Sequence, residues 1–346
     1  MKTKTSIALI LTMIFFFFFS GINVQAENVP TENSFSISPM NPDTGQPQST
    51  YYNLKVTPNE EKDIKVRVFS SSDKEIKVNV NVNNAGTNSN GVVSYTGKEK
   101  KDSSLKIPFS SIAQLKETQV TIPPKGHYDV TIHIKMPNQA YSGMILGGIR
   151  VTSASSSQEN VKQKPAVKAN IAYSIAVVLK EDENNIEPDM HLLDVQKENR
   201  DYQNFISAKL QNSAPRLIKK LEADAKVYKK GSDQLLYEAK KSEMEMAPNS
   251  NFNFGINLEG QPFKAGDYTM KISGKADGKP YSFEKDFTIT SKEAKTYNEN
   301  SVYTSGADRE DNGVLIAIVI CVVILLTGSV AFGVYEKRKN NRSKDK

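Results

Sequence analysis

The chain has 346 residues, with 45 Lys and Arg against 39 Asp and Glu, a formal charge of +6. That surplus sits at the ends: once Lys2, Lys4 and the basic tail after Tyr335 are set aside, residues 27–312 carry equal numbers of each sign. A neutral body lacks the basic face that phosphate neutralisation requires, which excludes nucleic acid as a partner.

At the N-terminus, Lys2 and Lys4 precede the apolar run Ile7 to Phe19, and Val24-Gln25-Ala26 has the small-residue form of a cleavage site. This predicts a signal peptide over 1–26; the alternative, a second membrane anchor, suits a longer run than this one. From Phe35 apolar and polar residues alternate. Ile64, Val66 and Val68 face opposite to Lys65 and Arg67, and Ile76 to Asn83 alternates almost without exception, so strands with one dry and one wet face are expected. Asn90-Gly91 predicts a hairpin turn, Ser110 to Leu115 a short serine-capped helix, and 120–122, 128–134 and 144–151 further strands. Together they define a first β-sandwich over 34–155.

A Ser-, Lys- and Gln-rich stretch with Pro165 predicts a linker over 156–168. A second sandwich follows over 169–290, with strands at 171–179, 205–210, 221–228, 252–258, 268–272 and 283–289. The fold expected is all-β: two tandem immunoglobulin-like β-sandwich domains followed by one transmembrane helix. Residues 291–312 are polar, lack an apolar period and read as a coil stalk. Residues 313–335 carry no charge and are long enough to span a bilayer; the basic tail 336–346 marks the cytoplasmic side, so the body faces outward. Cys321, the single cysteine, lies in this run, so the body folds without disulfides and needs domains of ~100 residues or more.

Chemistry is sparse. His127, Asp129, Thr131 and His133 share a strand face, but His127 and His133 stand ~20 Å apart on a straight strand, too far to hold one ion, and the buried face belongs to Tyr128, Val130, Ile132 and Ile134. No phosphate loop, nucleophile elbow or zinc-protease motif occurs. Gly147-Gly148 is better explained by a close approach or bulge within a strand. No catalytic residue, metal site or cofactor is therefore assigned, and binding is the expected role. The loop from Ala85 to Gly91 leads into Tyr95, and amides beside an aromatic ring suit a glycan; Thr87, Asn88, Asn90 and Tyr95 are the candidates. The competing reading is that these amides satisfy their own turn backbone. Met244 and Met246 are read as core filling in preference to an adaptable partner surface.

The stretches Tyr51-Tyr52-Asn53-Leu54-Lys55-Val56, Ala85 to Gly91 with Tyr95, and Met144-Ile145-Leu146-Gly147-Gly148-Ile149 stand in the first unit. Tyr173-Ser174-Ile175, Met246-Ala247-Pro248-Asn249-Ser250 and Gly266-Asp267-Tyr268 stand in the second. In that order, with the leader and terminal anchor, the chain resembles the WxL-interacting proteins of Gram-positive bacteria. The resemblance implies a first domain that binds peptidoglycan and a second that binds a WxL-domain surface protein or a host extracellular matrix protein. It departs at Tyr281-Ser282-Phe283, where tryptophan is often expected; this chain has no Trp and so cannot itself be a WxL-domain protein. No LPxTG sorting signal precedes the span, so an intact single-pass anchor in the cell membrane is expected. The expected function is a non-enzymatic surface adapter; a matrix-binding adhesin and a wall glycan hydrolase are the alternatives.

Overall fold

The structure, a computed structural model, describes residues 35–48, 50–154 and 171–301. The expected leader, linker, membrane span and tail lie outside the described residues. Among those described, no helix is long and apolar enough to cross a membrane.

The first sandwich contains β1 (Phe35–Met40), β2 (Tyr52–Lys55), β3 (Glu61–Ser70), β4 (Ile76–Asn84), the two-residue β5 (Gly86–Thr87) and β6 (Val93–Ser94), β7 (Ala113–Leu115), β8 (Gln119–Ile122), β9 (His127–Lys135), β10 (Met144–Ser153) and β11 (Ala172–Lys180). One sheet has the order β1-β3-β9-β7, the other β2-β11-β10-β4-β8. Alternation places the side chains as expected: Ile64, Val66, Val68, Val78 and Val80 enter the core, while Arg67 forms a bidentate pair with Asp129 at 2.6 and 2.7 Å on the wet face. His133 stands on that face too, with Nδ1 2.8 Å from Asp63 Oδ1.

The helix expected from Ser110 is a single turn, Phe109–Ile112, preceded by Pro108 with no side-chain cap, and Ala113–Leu115 continues as strand. That turn exists to insert Phe109. The ring is fully buried and lies where a side chain at Gly147 would be: a Cβ there would sit 2.1 Å from Phe109 Cδ1. At Gly148 a Cβ would fall 2.6 Å from Tyr95 Cδ1. The glycine pair therefore serves close packing from two rings, as read from the sequence. Gly147→Ala is expected to cost about 1–3 kcal/mol by overpacking, read as a lower urea midpoint at unchanged slope.

A difference from the sequence reading concerns β11, expected to open the second sandwich. It pairs antiparallel with β10 along its whole length and parallel with β2 through Val177 to Lys180. Ile175, Val177 and Leu179 complete the first core. The polar stretch before it resembles a boundary, but the alternation beyond it belongs to the preceding fold.

The second sandwich contains β12 (Met190–Arg200), β13 (Gln203–Asn212), β14 (Ile218–Lys229), β15 (Leu235–Met246), β16 (Ser250–Asn257), β17 (Gly266–Ala276) and β18 (Lys279–Ile289). Sheet β12-β13-β16 packs on sheet β15-β14-β17-β18, with Ile206, Leu210, Val227, Phe252, Phe254 and Ile272 between them. Met244 and Met246 are both buried, as expected of core residues. Tyr281 and Phe283 stack at 5.7 Å, and the Tyr281 hydroxyl donates to the Glu222 carbonyl at 2.7 Å. Two ammonium groups close the gap between edge strands β12 and β18: Lys197 Nζ donates to the Thr288 carbonyl at 3.3 Å, and Lys285 Nζ to that of Leu193 at 2.6 Å.

Part of the expected stalk is folded. Ser291–Glu299 is a helix with a capping box, in which Thr290 accepts from the Glu293 N–H and Glu293 accepts from that of Thr290. The Thr290 backbone N–H and Lys197 hold the Glu293 carboxyl down at about 2. Ala294 is buried and Tyr297 meets Phe263 edge-on at 5.5 Å. Thr290-x-x-Glu293 was the legible signal, and the apolar period is only the pair Ala294 and Tyr297.

Candidate functional site

The four candidate glycan contacts arise from one short hairpin and its exit. Asn88 accepts through Oδ1 from the N–H groups of Asn90 at 2.9 Å and Val92 at 3.2 Å, and Gly91 follows at φ +68. Half of the Asn88 amide is thus spent on its own turn. The hairpin docks on the second sandwich. Glu245 N–H donates to the Gly91 carbonyl at 2.7 Å, Lys241 Nζ to that of Asn90 at 2.8 Å, and Met244 occupies the space a side chain at Gly91 would need.

Thr87 is 3% exposed. Its hydroxyl lies 2.8 Å from Ser250 Oγ and accepts from the Ala247 N–H at 3.0 Å. It is a joint residue between the sandwiches whose hydroxyl is spent on the second one, and its small exposed remainder lines a cleft. Tyr95 is half-buried among the apolar residues of the joint, Ala85, Leu146 and Ala247, and its phenol is pushed up to about 12 by burial and the charge of Glu245. Of the other two, Asn90 is exposed and Asn88 is half-buried.

Asp102 ties the joint together. It is 4% exposed and accepts from Ser104 N at 2.8 Å, Ser104 Oγ at 2.6 Å, Gln211 Nε2 at 2.8 Å and Asn251 Nδ2. Burial works against its charge, but the hydrogen bonds from Ser104, Asn251 and Gln211 outweigh it and hold the carboxyl below its ordinary range. On the far side, Met144 N–H donates to the Pro215 carbonyl at 2.8 Å.

Several clefts follow this joint, and two of them adjoin on the side of the hairpin. One, of about 180 Å³, is lined by Asn83, Asn84, Asp102, Asn249 and Asn251. The other, of about 340 Å³, is lined by Asn88, Lys98 and Lys100 from the first sandwich and Gln196, Glu198, Lys209 and Asn253 from the second. Glu99, Lys100 and Asn251 line both. Within the larger cleft Asn253 Nδ2 donates to Gln196 at 3.0 Å and to Glu198 at 2.6 Å, and Glu198 pairs with Arg200 at 3.0 Å. Among the described residues no group of three His, Cys, Asp or Glu side chains could hold a metal ion.

The sequence did not single out Asp102, Lys209, Gln211, Asn251 or Asn253. Asp102 stands in a run of lysines and serines typical of a solvated loop, and its partners are 109 and 149 positions away. Only the Asp102-x-Ser104 turn was readable locally.

Comparison with known families gives two matches. Residues 35–153 match the "WxL Interacting Protein, peptidoglycan binding domain", and residues 162–299 match the "WxL Interacting Protein, host binding domain". The second match begins before β11, a strand that folds into the first sandwich. No curated protein matches the chain. Among solved structures, the Pseudomonas aeruginosa CupB2 chaperone is similar at 11% identity and TM-score 0.28, covering 70% of this chain and 98% of that one. The E. coli chaperone DraB is similar at 13% identity and TM-score 0.29, covering 74% and 98%. A likeness at this level carries no inference about function.

Proposed function

The chain belongs to the WxL-interacting protein family, and from that premise we propose that it is a non-enzymatic adapter at the cell surface, binding peptidoglycan on one side and a WxL-domain protein on the other. Both of its matched domains are binding domains, one for peptidoglycan and one for host ligands. The observation that carries the adapter reading is their joint. Asp102, Thr87 and the hairpin at Gly91 couple the two sandwiches through buried hydrogen bonds, so a load on one is passed to the other. An intact membrane span over 313–335, with the tail after Tyr335 in the cytoplasm, would keep this pair close to the membrane.

The description of the second matched domain favours a second reading, an adhesin whose partner is a host extracellular matrix protein. The full-length chain in detergent micelles, immobilised and offered WxL-domain proteins and collagen-type matrix proteins in parallel, separates the two. Retention of a WxL-domain protein at micromolar affinity or better is expected. Retention of matrix protein alone makes it an adhesin, and release of soluble glycan from walls would make it a hydrolase.

A further inference from the structure

We infer that the larger cleft at the joint is the peptidoglycan site, and that it grips the carboxylates and amides of the stem peptide with residues of both sandwiches. The inference rests on the peptidoglycan-binding reading and gives it a location.

Charge is the first ground. Lys98, Lys100 and Lys209 line this cleft, and none has an ion-pair partner among the described residues. Of the acids that line it, Glu198 is paired with Arg200 and Asn253, and Glu99 is held by the neutral Thr96 hydroxyl at 3.0 and 3.1 Å, so the three lysines face one carboxylate without a cationic partner. A concave surface with surplus cations from two sides concentrates an anionic ligand. The body as a whole is formally neutral, so this surplus is local.

Hydrogen-bonding capacity is the second. Asn253 uses its N–H groups on Gln196 and Glu198, leaving its carbonyl oxygen to accept; Gln196 and Asn88 use their carbonyl oxygens and keep N–H groups to donate. Donors and acceptors in alternation suit a peptide backbone. Shape is the third ground: Phe252, the one aromatic residue lining the cleft, is 4% exposed, so no ring face is offered to a sugar. The peptide part of the polymer fits this chemistry better than its glycan. Lys209, Gln196 and Asn253 stand in the second sandwich, so the second domain adds to a grip that the first domain begins, and full affinity requires both.

The test is co-sedimentation of the full-length chain, in detergent micelles, with Gram-positive peptidoglycan chemically stripped of phosphate-bearing polymers. The double charge reversal Lys98→Glu with Lys209→Glu is expected to weaken binding at least tenfold with unchanged thermal midpoint, while Lys275→Glu, in the other sheet, leaves it intact. Wild-type affinity in the double variant overturns the site but leaves the peptidoglycan reading standing; failure of the unmodified chain to sediment with either stripped or unstripped walls overturns that reading itself. Binding to unstripped walls that vanishes on stripping assigns the lysines to phosphate and overturns the stem-peptide assignment.

Discussion

A fragment ending at residue 155 will not fold, whereas one extended to about residue 183 will. The cut at 155 removes β11, which lies between β10 and β2 and supplies Ile175, Val177 and Leu179 to the first core, each no more than 4% exposed. At about 1.5–3 kcal/mol for each buried aliphatic side chain, their loss comes to roughly 5–9 kcal/mol. That is comparable with the whole stability of a typical domain, about 5–15 kcal/mol. The nine residues of β10 paired with β11 would also lose their partner on that side. The shorter fragment should therefore give a collapsed amide spectrum and no cooperative melt, and the longer one dispersed signals and a single transition. A cooperative melt from the shorter fragment would refute this account of the first core.

Asp102→Ala should open the joint without unfolding either sandwich. It leaves the Gln211 and Asn251 amides, donors from the second domain, without their acceptor in a buried place. Each stranded group costs about 1–3 kcal/mol. The expected result is a larger radius of gyration by X-ray scattering and two resolved thermal transitions where the unaltered chain shows one. An unchanged scattering profile would show that the apolar contacts of the joint suffice. The pH dependence has a definite sign. The folded-state carboxyl lies below its ordinary value, so its contribution is complete above the unfolded value of about 3.9 and is lost as pH falls below that through the folded value. The joint should stay closed at pH 5 and loosen in stronger acid, and Asp102→Asn should remove that response.

Central strands were readable because burial on one face imposes period two, as in Ile64, Val66 and Val68 or Phe252, Phe254 and Ile256. The strands that escaped notice lie at edges. β12 and β15 carry few buried side chains, so Leu235 to Glu243 shows no clean alternation, and the short parallel β2 has four residues. The candidate site was half legible. A polar hairpin before Tyr95 stood out, and it does lie at the joint, but the pairing that buries Thr87 spans 163 positions, which no local pattern encodes. The hairpin's asparagines behave as turn chemistry dictates, and the cations that give the cleft its charge sit among residues unremarkable in isolation.

The lysines that cap backbone carbonyls between β12 and β18 bear on crowding. Open edges of long strands invite pairing with the same edge on a neighbouring molecule. Lys197, which also pairs with Glu293, and Lys285, which also pairs with Asp194, stand at the two ends of that gap, and any neighbour attempting to add a strand there would have to break these contacts and bury ionised groups. Copies crowded at high local concentration can in this way remain separate molecules.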